Sequence, residues 1–431
     1  MRLQTTSSLA LLAAAGLTAA IAGCGSQPAA PARAAVAATV VRGAATTEPA
    51  VSPVPLAAAD TGFGLDVMRA WCGQNPDRNL VFSPSTLASA LGMAYLGARG
   101  ATATAMARVL DLPAGVSTAA LEGELQARTK ALTSLDGPGV TLAASSQVWA
   151  DPSLQTRKSY LNAVATGYHA GVAQAPFSTD PAKAAAEINQ AISAATRGHI
   201  SQLVNAGMLT DIGWVLTSAL YLDAKWATPF DPNSTELEPF TPAGAKPVRV
   251  KYMVGTGFRY AADGGWQAVS LPYQGGRVTM TALLPPAGSA SCALPSQASV
   301  TSLARSLTGP GPVATVLLPK VNLDTAGDVG DMRPALERLG LGVAFSPDAD
   351  FTALSPQACC IGFVQQAATL QVGEKGTVGA AAAAVGMVAA SARVAPQAVY
   401  VNFDRPYLIL ISAAGTGEPL FLAEVDDPLA S

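Results

Sequence analysis

The residues with the most unusual chemical character lie near the C-terminus, in residues 376–397, which read GTVGAAAAAVGMVAASARVAPQ. Residues 377–392 carry no charge and no proline, and nearly every side chain is small. Such a segment keeps all of its backbone N–H groups and presents slim side chains on both faces, which is what entry into the middle of a β-sheet requires. Under two-residue alternation Thr377, Gly379, Ala381, Ala383, Val385 and Met387 share one face, expected to point to the core once the stretch becomes a strand. The competing reading is an alanine-rich linker or a short helix, because alanine is the best helix former. A loop this long inside a compact domain is either functional or disordered.

Other chemistry is sparse. His169 and His199 are the only histidines, and a Ser-His-Asp hydrolase would have to recruit one of them without a G-x-S-x-G elbow. His199, at a helix exit, reads as structural. Adjacent Cys359 and Cys360 suit a metal or redox site, but no CxxC accompanies them, so structural thiols or a remote bridge is the reading, and no metal or other cofactor is expected. Cys72, Cys292, Cys359 and Cys360 admit a disulfide in an exported chain, without a pairing being assignable. The net charge of −3 is spread without a basic stripe, which argues against nucleic acid as a partner.

The elements that must position this segment mix helices and strands irregularly. Residues 79–84 are extended and lead into a helix with apolar positions at Leu87, Leu91, Ala94 and Tyr95, and a second helix follows over 101–110. Residues 183–204 have helical spacing through Ile188, Ile192, Ile200 and Leu203. Strands are predicted over 140–150 and 214–226, and from 248 onward over 252–261, 266–271, 278–284, 313–323, 368–373, 399–403, 407–412 and 419–424. This is an α+β pattern with large antiparallel or mixed sheets, not repeated βαβ units.

Gly373-Glu374-Lys375-Gly376-Thr377, followed by Val378, Gly379, Ala380, Ala381 and Ala382, resembles the hinge of the reactive-centre loop in the serpins, a family of serine protease inhibitors. Other segments follow in family order. Asn79-Leu-Val-Phe-Ser-Pro-Ser and residues 87–110 resemble the helix B and C region, and residues 188–204 resemble helix F and its exit. Residues 218–230, with Leu-Tyr-Leu-Asp-Ala-Lys-Trp, are similar to the central strand that ends in a buried tryptophan. Phe403-Asp404-Arg405-Pro406-Tyr407 and Pro419-Leu-Phe-Leu-Ala-Glu-Val are similar to the closing strands. The resemblance implies the serpin fold, with three β-sheets, about eight or nine helices and an exposed loop. It also implies inhibition of a serine protease, trapped as an acyl-enzyme when the cleaved loop inserts into a sheet of a metastable protein.

Particular residues take roles through that resemblance. Lys320 and Glu374, with Trp226, match the breach at the top of the opening sheet; two unrelated surface charges and an ordinary core aromatic are the alternatives, and an exposed ion pair contributes only about 0–1 kcal/mol. Ser83, Ser85 and Asn189 match the polar shutter beneath the sheet, where Gln366 stands in place of the family's histidine and cannot carry its charge. Val378 stands where Glu or Gln is common. Sixteen positions on from Glu374 is Ala390, so the bait bond is read as Ala390–Ser391, suiting an elastase- or subtilisin-like protease. Arg393–Val394, suiting a trypsin-like enzyme, and Met387 or a neighbour are the alternatives, because the loop is longer than many when counted back from Pro406. Serpins that only bind hormones or act as chaperones are the rival function, and their hinges tend to carry bulk, charge or proline.

At the other end Arg2 precedes an apolar stretch that closes Ile21-Ala22-Gly23-Cys24, which reads as a signal peptide and resembles the bacterial lipobox. Residues 1–23 are expected to be removed and Cys24 acylated, which would place the protein at the outer face of the cell membrane; a plain secretory signal is the alternative. Residues 24–56, rich in Ala, Pro and Thr, read as a flexible tether, and residues 57–431 as a serpin domain, expected as a monomer.

Overall fold

The computed structural model describes residues 38–49, 51–112, 118–210, 212–324, 330–377 and 399–430. Its axis is the strand Trp214–Lys225, buried at all but two positions because both of its faces are covered. On one side it pairs antiparallel with Val140–Ala150. On the other it runs parallel to Val364–Gly373, with Val364 opposite Leu216 and Ala368 opposite Leu220. Val321–Asp324 extends this sheet beyond Val364–Gly373, while Val172–Gln174 and Thr39–Val41 extend it at the far edge.

The two faces are served by two helices with clear local causes. Pro84–Gly97 starts with Pro84 at the position that tolerates a missing N–H, and the Ser83 hydroxyl accepts from Thr86 N (3.3 Å). It packs Leu87 and Leu91 in a core with Val148 and Leu216. Pro181–Ala195 begins at Asp180, whose carboxylate accepts from Lys183 N (3.0 Å), and buries Ile188 and Ile192 with Trp149 and Val215. Odd and even positions of the central strand thus face different helices. The helical spacing expected over 183–204 stops at Ala195, because Arg197 (φ 55°) and Gly198 (φ 85°) take left-handed backbone; Ile200 and Leu203 are buried in the non-helical return.

The second sheet has nine strands, ordered from Val399–Asn402 through Val313–Pro319, Val248–Asp263, Trp266–Pro272, Val278–Leu284, Tyr407–Ala413 and Pro419–Val425 to Leu80–Phe82, with Glu236–Phe240 also on Val248–Asp263. The expected three sheets therefore form two continuous ladders among the described residues. The 16-residue strand Val248–Asp263 joins the other two, pairing with Glu236–Phe240 over its first residues and with Trp266–Pro272 over its last. Eight α-helices are present among the described residues. The strand expected over 313–323 is broken after Pro319; Lys320 N donates to Lys251 O (2.9 Å) and its side chain leaves the sheet.

Two expectations change at the N-terminal side. Thr39–Val41 pairs with Val172–Gln174, Thr46 N donates to Thr166 Oγ1 (3.0 Å), and a Cβ at Gly43 would collide with the backbone of Leu161 and Asn162. Residues 38–49 therefore lie along the domain, inside the stretch read as tether, because the edge strand Val172–Gln174 offers unpaired backbone groups that those of Thr39–Val41 can meet. The first helix, Val54–Cys72, begins three residues before the expected start at Ala57. Cys72 is bridged to Cys292 (Cα–Cα 5.8 Å), a pairing left open by the sequence.

Candidate functional site

The chain reverses at Glu374 and Lys375, so that Gly376–Thr377 folds back beside Val364–Gly373 and slots between that strand and Trp214–Lys225. Thr377 lies opposite Val372 on one side and Ala224 on the other, antiparallel to both. Only glycine fits at 376, where a Cβ would strike the carbonyl oxygen of Ala224. Thr377 is 1% exposed, and its hydroxyl is hydrogen-bonded to that of Tyr273.

The turn is held from several directions. Trp226 N donates to Lys375 O and Phe230 N to Glu374 O (both 2.9 Å), while Trp226 Nε1 donates to Gly373 O (2.8 Å). The Trp226 indole stacks on Tyr273 at 4.4 Å between ring centroids and meets Phe230 edge-on. It is thus both a core aromatic and a hydrogen-bonding anchor. Lys320 Nζ lies 2.9 and 2.8 Å from the two carboxylate oxygens of Glu374, and Thr235 donates to Oε1 (3.0 Å). Burial by itself would raise the Glu374 carboxyl, but these hydrogen bonds and the Lys320 charge outweigh it and hold the group below its usual range.

Further down, where Val364–Gly373 and Trp214–Lys225 pair directly with Gln366 opposite Ser218, lies a buried polar cluster. Gln366 Nε2 donates to Ser83 O (2.9 Å) and Thr86 Oγ1 (3.1 Å) and contacts Ser218 Oγ (3.3 Å). Ser218 Oγ donates to Thr86 Oγ1 (2.7 Å), Ser146 Oγ to Thr86 O (3.0 Å), and the Ser83 and Ser85 hydroxyls meet at 3.3 Å. Ser83, Ser85 and Gln366 are therefore brought together, and Gln366 Oε1 is left without a partner among the described residues. Asn189 is not part of the cluster. It sits on the helix covering the opposite face, where Oδ1 accepts from Leu203 N (2.7 Å) and Val204 N (3.0 Å) and Nδ2 donates to Val204 O (2.7 Å), pinning the non-helical return.

Sequence reasoning missed Ser218, Thr86, Ser146, Thr235 and Tyr273. Ser218 had a signal shared with its neighbour Thr217, two adjacent hydroxyls in a largely apolar strand buried on both faces; the others needed the fold. Both histidines sit in structural places: His199 stacks on Tyr221 at 3.7 Å, and His169 ends a helix in left-handed backbone. Residues 378–398 and 1–37 lie outside the described residues, so nothing structural bears on Cys24, Val378, Gly379, Ala380, Ala381, Ala382, Ala390, Ser391, Arg393 or Val394.

Trp214–Lys225 and Val364–Gly373 thus run parallel as neighbours, and the two-residue strand Gly376–Thr377 lies between them at one end, antiparallel to each. The family model described as serpin (serine protease inhibitor) matches residues 58–428, and the chain belongs to that family. It is 29% identical over 386 residues to the leukocyte elastase inhibitor of Bos taurus, covering 86% of this chain and 99% of that one. A serpin-like protein of Thermococcus kodakarensis is 30% identical over 378 residues, with 87% and 86% covered. The crystal structure of the thermophilic serpin tengpin in its native state is similar with a TM-score of 0.76 at 21% identity, covering 91% of this chain and all of that one.

Proposed function

We propose that this protein is an irreversible suicide-substrate inhibitor of serine proteases of elastase or subtilisin type. The observation that carries the reading is the position of Gly376–Thr377, already the first rungs of a strand between Trp214–Lys225 and Val364–Gly373. An inserted strand would replace the single parallel ladder at Leu216–Leu220 by two antiparallel ladders, one on each neighbour, which favours insertion. The slim, uncharged residues 377–392 suit that insertion on both faces. In the reaction the protease serine attacks the Ala390 carbonyl, the bond to Ser391 breaks, and the new amino terminus at Ser391 departs. The acyl ester is then carried away on the inserting loop before water completes the turnover.

The roles assigned to the lower and upper clusters follow from the same reading. Ser83, Ser85, Gln366 and Ser218 form the polar seam that must part, and Lys320, Glu374 and Trp226 hold the point where parting starts. Cys24 lipidation would hold the inhibitor at the outer face of the cell membrane, with secretion as the outcome if the cysteine is not acylated; the protein acts as a monomer. Supporting the target class is the small side chain at Ala390, and a relative bears the name leukocyte elastase inhibitor.

Incubation with pancreatic elastase or subtilisin, followed by a denaturing gel, tests the reading. A covalent complex whose released peptide starts at Ser391 supports it; cleavage without a complex overturns inhibition. Ala390→Arg should gain trypsin inhibition and lose elastase inhibition, whereas Arg393→Ala should change elastase inhibition little. Loss of all inhibition on Arg393→Ala moves the bait bond to Arg393–Val394.

A further inference from the structure

Cys359 and Cys360 stand apart from the insertion machinery. Their sulfurs lie 2.8 Å apart, with Cys359 exposed and Cys360 half-buried. The chain on either side is fixed. Ala358 is buried and its N–H donates to Ser355 O (3.1 Å), while Ile361 is buried and its N–H donates to Ala344 O (2.9 Å). The pair therefore cannot swing out toward Cys72 or Cys292, which already bond each other. Arg333, held by Glu337 (2.7 Å) and lying over the Phe345 ring (5.2 Å), brings a positive charge near Cys360.

We infer that Cys359 and Cys360 form a reversible redox-modification site, a vicinal dithiol that low-molecular-weight disulfides oxidise to an eight-membered ring disulfide. Burial, then the hydrogen bond to Cys359 and the proximity of its charge, hold the Cys360 thiol at about 11, against the opposing pull of Arg333. The exposed Cys359 is accordingly the thiol an oxidant reaches first. Its thiolate attacks one sulfur of the oxidant disulfide and releases one small thiol. The Cys360 thiol then loses its proton to water and attacks Cys359 Sγ, expelling the second. The protein loses its two thiol hydrogens and the oxidant disulfide becomes two thiols.

Adjacent Cα atoms lie about 3.8 Å apart across a trans peptide, short of the roughly 4.4–6.8 Å of ordinary bridges, so the ring closes against strain and reopens readily. Cys72–Cys292, at 5.8 Å, falls inside that range and is the structural bond. The two cysteine pairs therefore divide into a permanent bridge and a labile one. The labile pair sits at the foot of the strand that carries Gln366 and ends at the Glu374 turn.

The test uses the full-length protein with glutathione disulfide, alkylation of remaining thiols, digestion and mass spectrometry. The peptide bearing both cysteines should lose two hydrogens, take up no alkylating label, and recover both labels after mild reduction that spares Cys72–Cys292. Cys360→Ser should stop at a glutathione adduct on Cys359. Two alkylated thiols after oxidation, a stable glutathione adduct on the wild-type protein, or a bridge between two chains would overturn the inference. The wild-type mass alone decides it if the variant does not fold.

Discussion

The hydroxyl of Thr377 is hydrogen-bonded to that of Tyr273, whose ring stacks on Trp226, so the first buried side chain after the Glu374 turn is docked on the aromatic group at the top of the sheet. Burial is the leading cause that pushes the Tyr273 phenol well above its ordinary range, against the opposing effect of the hydrogen bond with Thr377.

Thr377→Arg would place a charge where the side chain is 1% exposed. A buried unpaired charge costs far more than a strand rung returns, so the hinge should stay out and the variant should be cleaved as a substrate. The stoichiometry of inhibition, read from complex and cleaved bands, checks this; wild-type stoichiometry would remove the argument for insertion at this position.

The Lys320–Glu374 pair should act as a pH-dependent latch. Glu374 is held below its usual range, so its stabilisation is complete above the ordinary carboxylate pKa and is lost as pH falls through the lowered value. Because Lys320 is 38% exposed, the pair contributes at most about 1 kcal/mol. Glu374→Gln should lower the unfolding midpoint slightly at pH 7 and flatten its fall in acid. Equal acid sensitivity in wild type and variant would show that other groups control it.

Gln366→Ala removes the amide that reaches Ser83 O, Thr86 and Ser218 in a fully enclosed seam. Leaving such groups without partners costs about 1–3 kcal/mol, to which the cavity adds. Thermal unfolding should shift down, and spontaneous loss of inhibitory activity on warming should accelerate. Unchanged rates would mean that this cluster does not limit strand separation.

Away from the gap, Arg128 is buried beside Asp60 (2.5 Å) and donates to Ser89 (2.8 Å). The Glu418 carboxyl, buried next to them, is raised first by burial and then by the Asp60 charge, against the pull of Arg128. Arg128→Met should cost about 3–5 kcal/mol by stranding Asp60, and the double change with Asp60→Leu should restore much of it. Denaturant unfolding of the two variants separates lost packing from an orphaned charge.

What the sequence by itself determined is local. Small residues without proline or charge mark residues 377–392, the extended segment through Ser83-Pro84 leads into the first facing helix, and the spacing of Ile188 and Ile192 marks the second, because each of these properties depends on a few adjacent residues. Gly376 was also legible, although its reason, the carbonyl of Ala224, was not. The tertiary structure alone decided which distant groups meet. It put Ser218 and Thr86 beside Gln366 and moved Asn189 to the far face, because a strand residue chooses its side by register and a helix residue by the face it turns to the sheet. It also paired Cys72 with Cys292 across 220 positions and laid residues 38–49 along a sheet edge, since neither a bridge nor a strand partner is encoded in the spacing of the residues that form it.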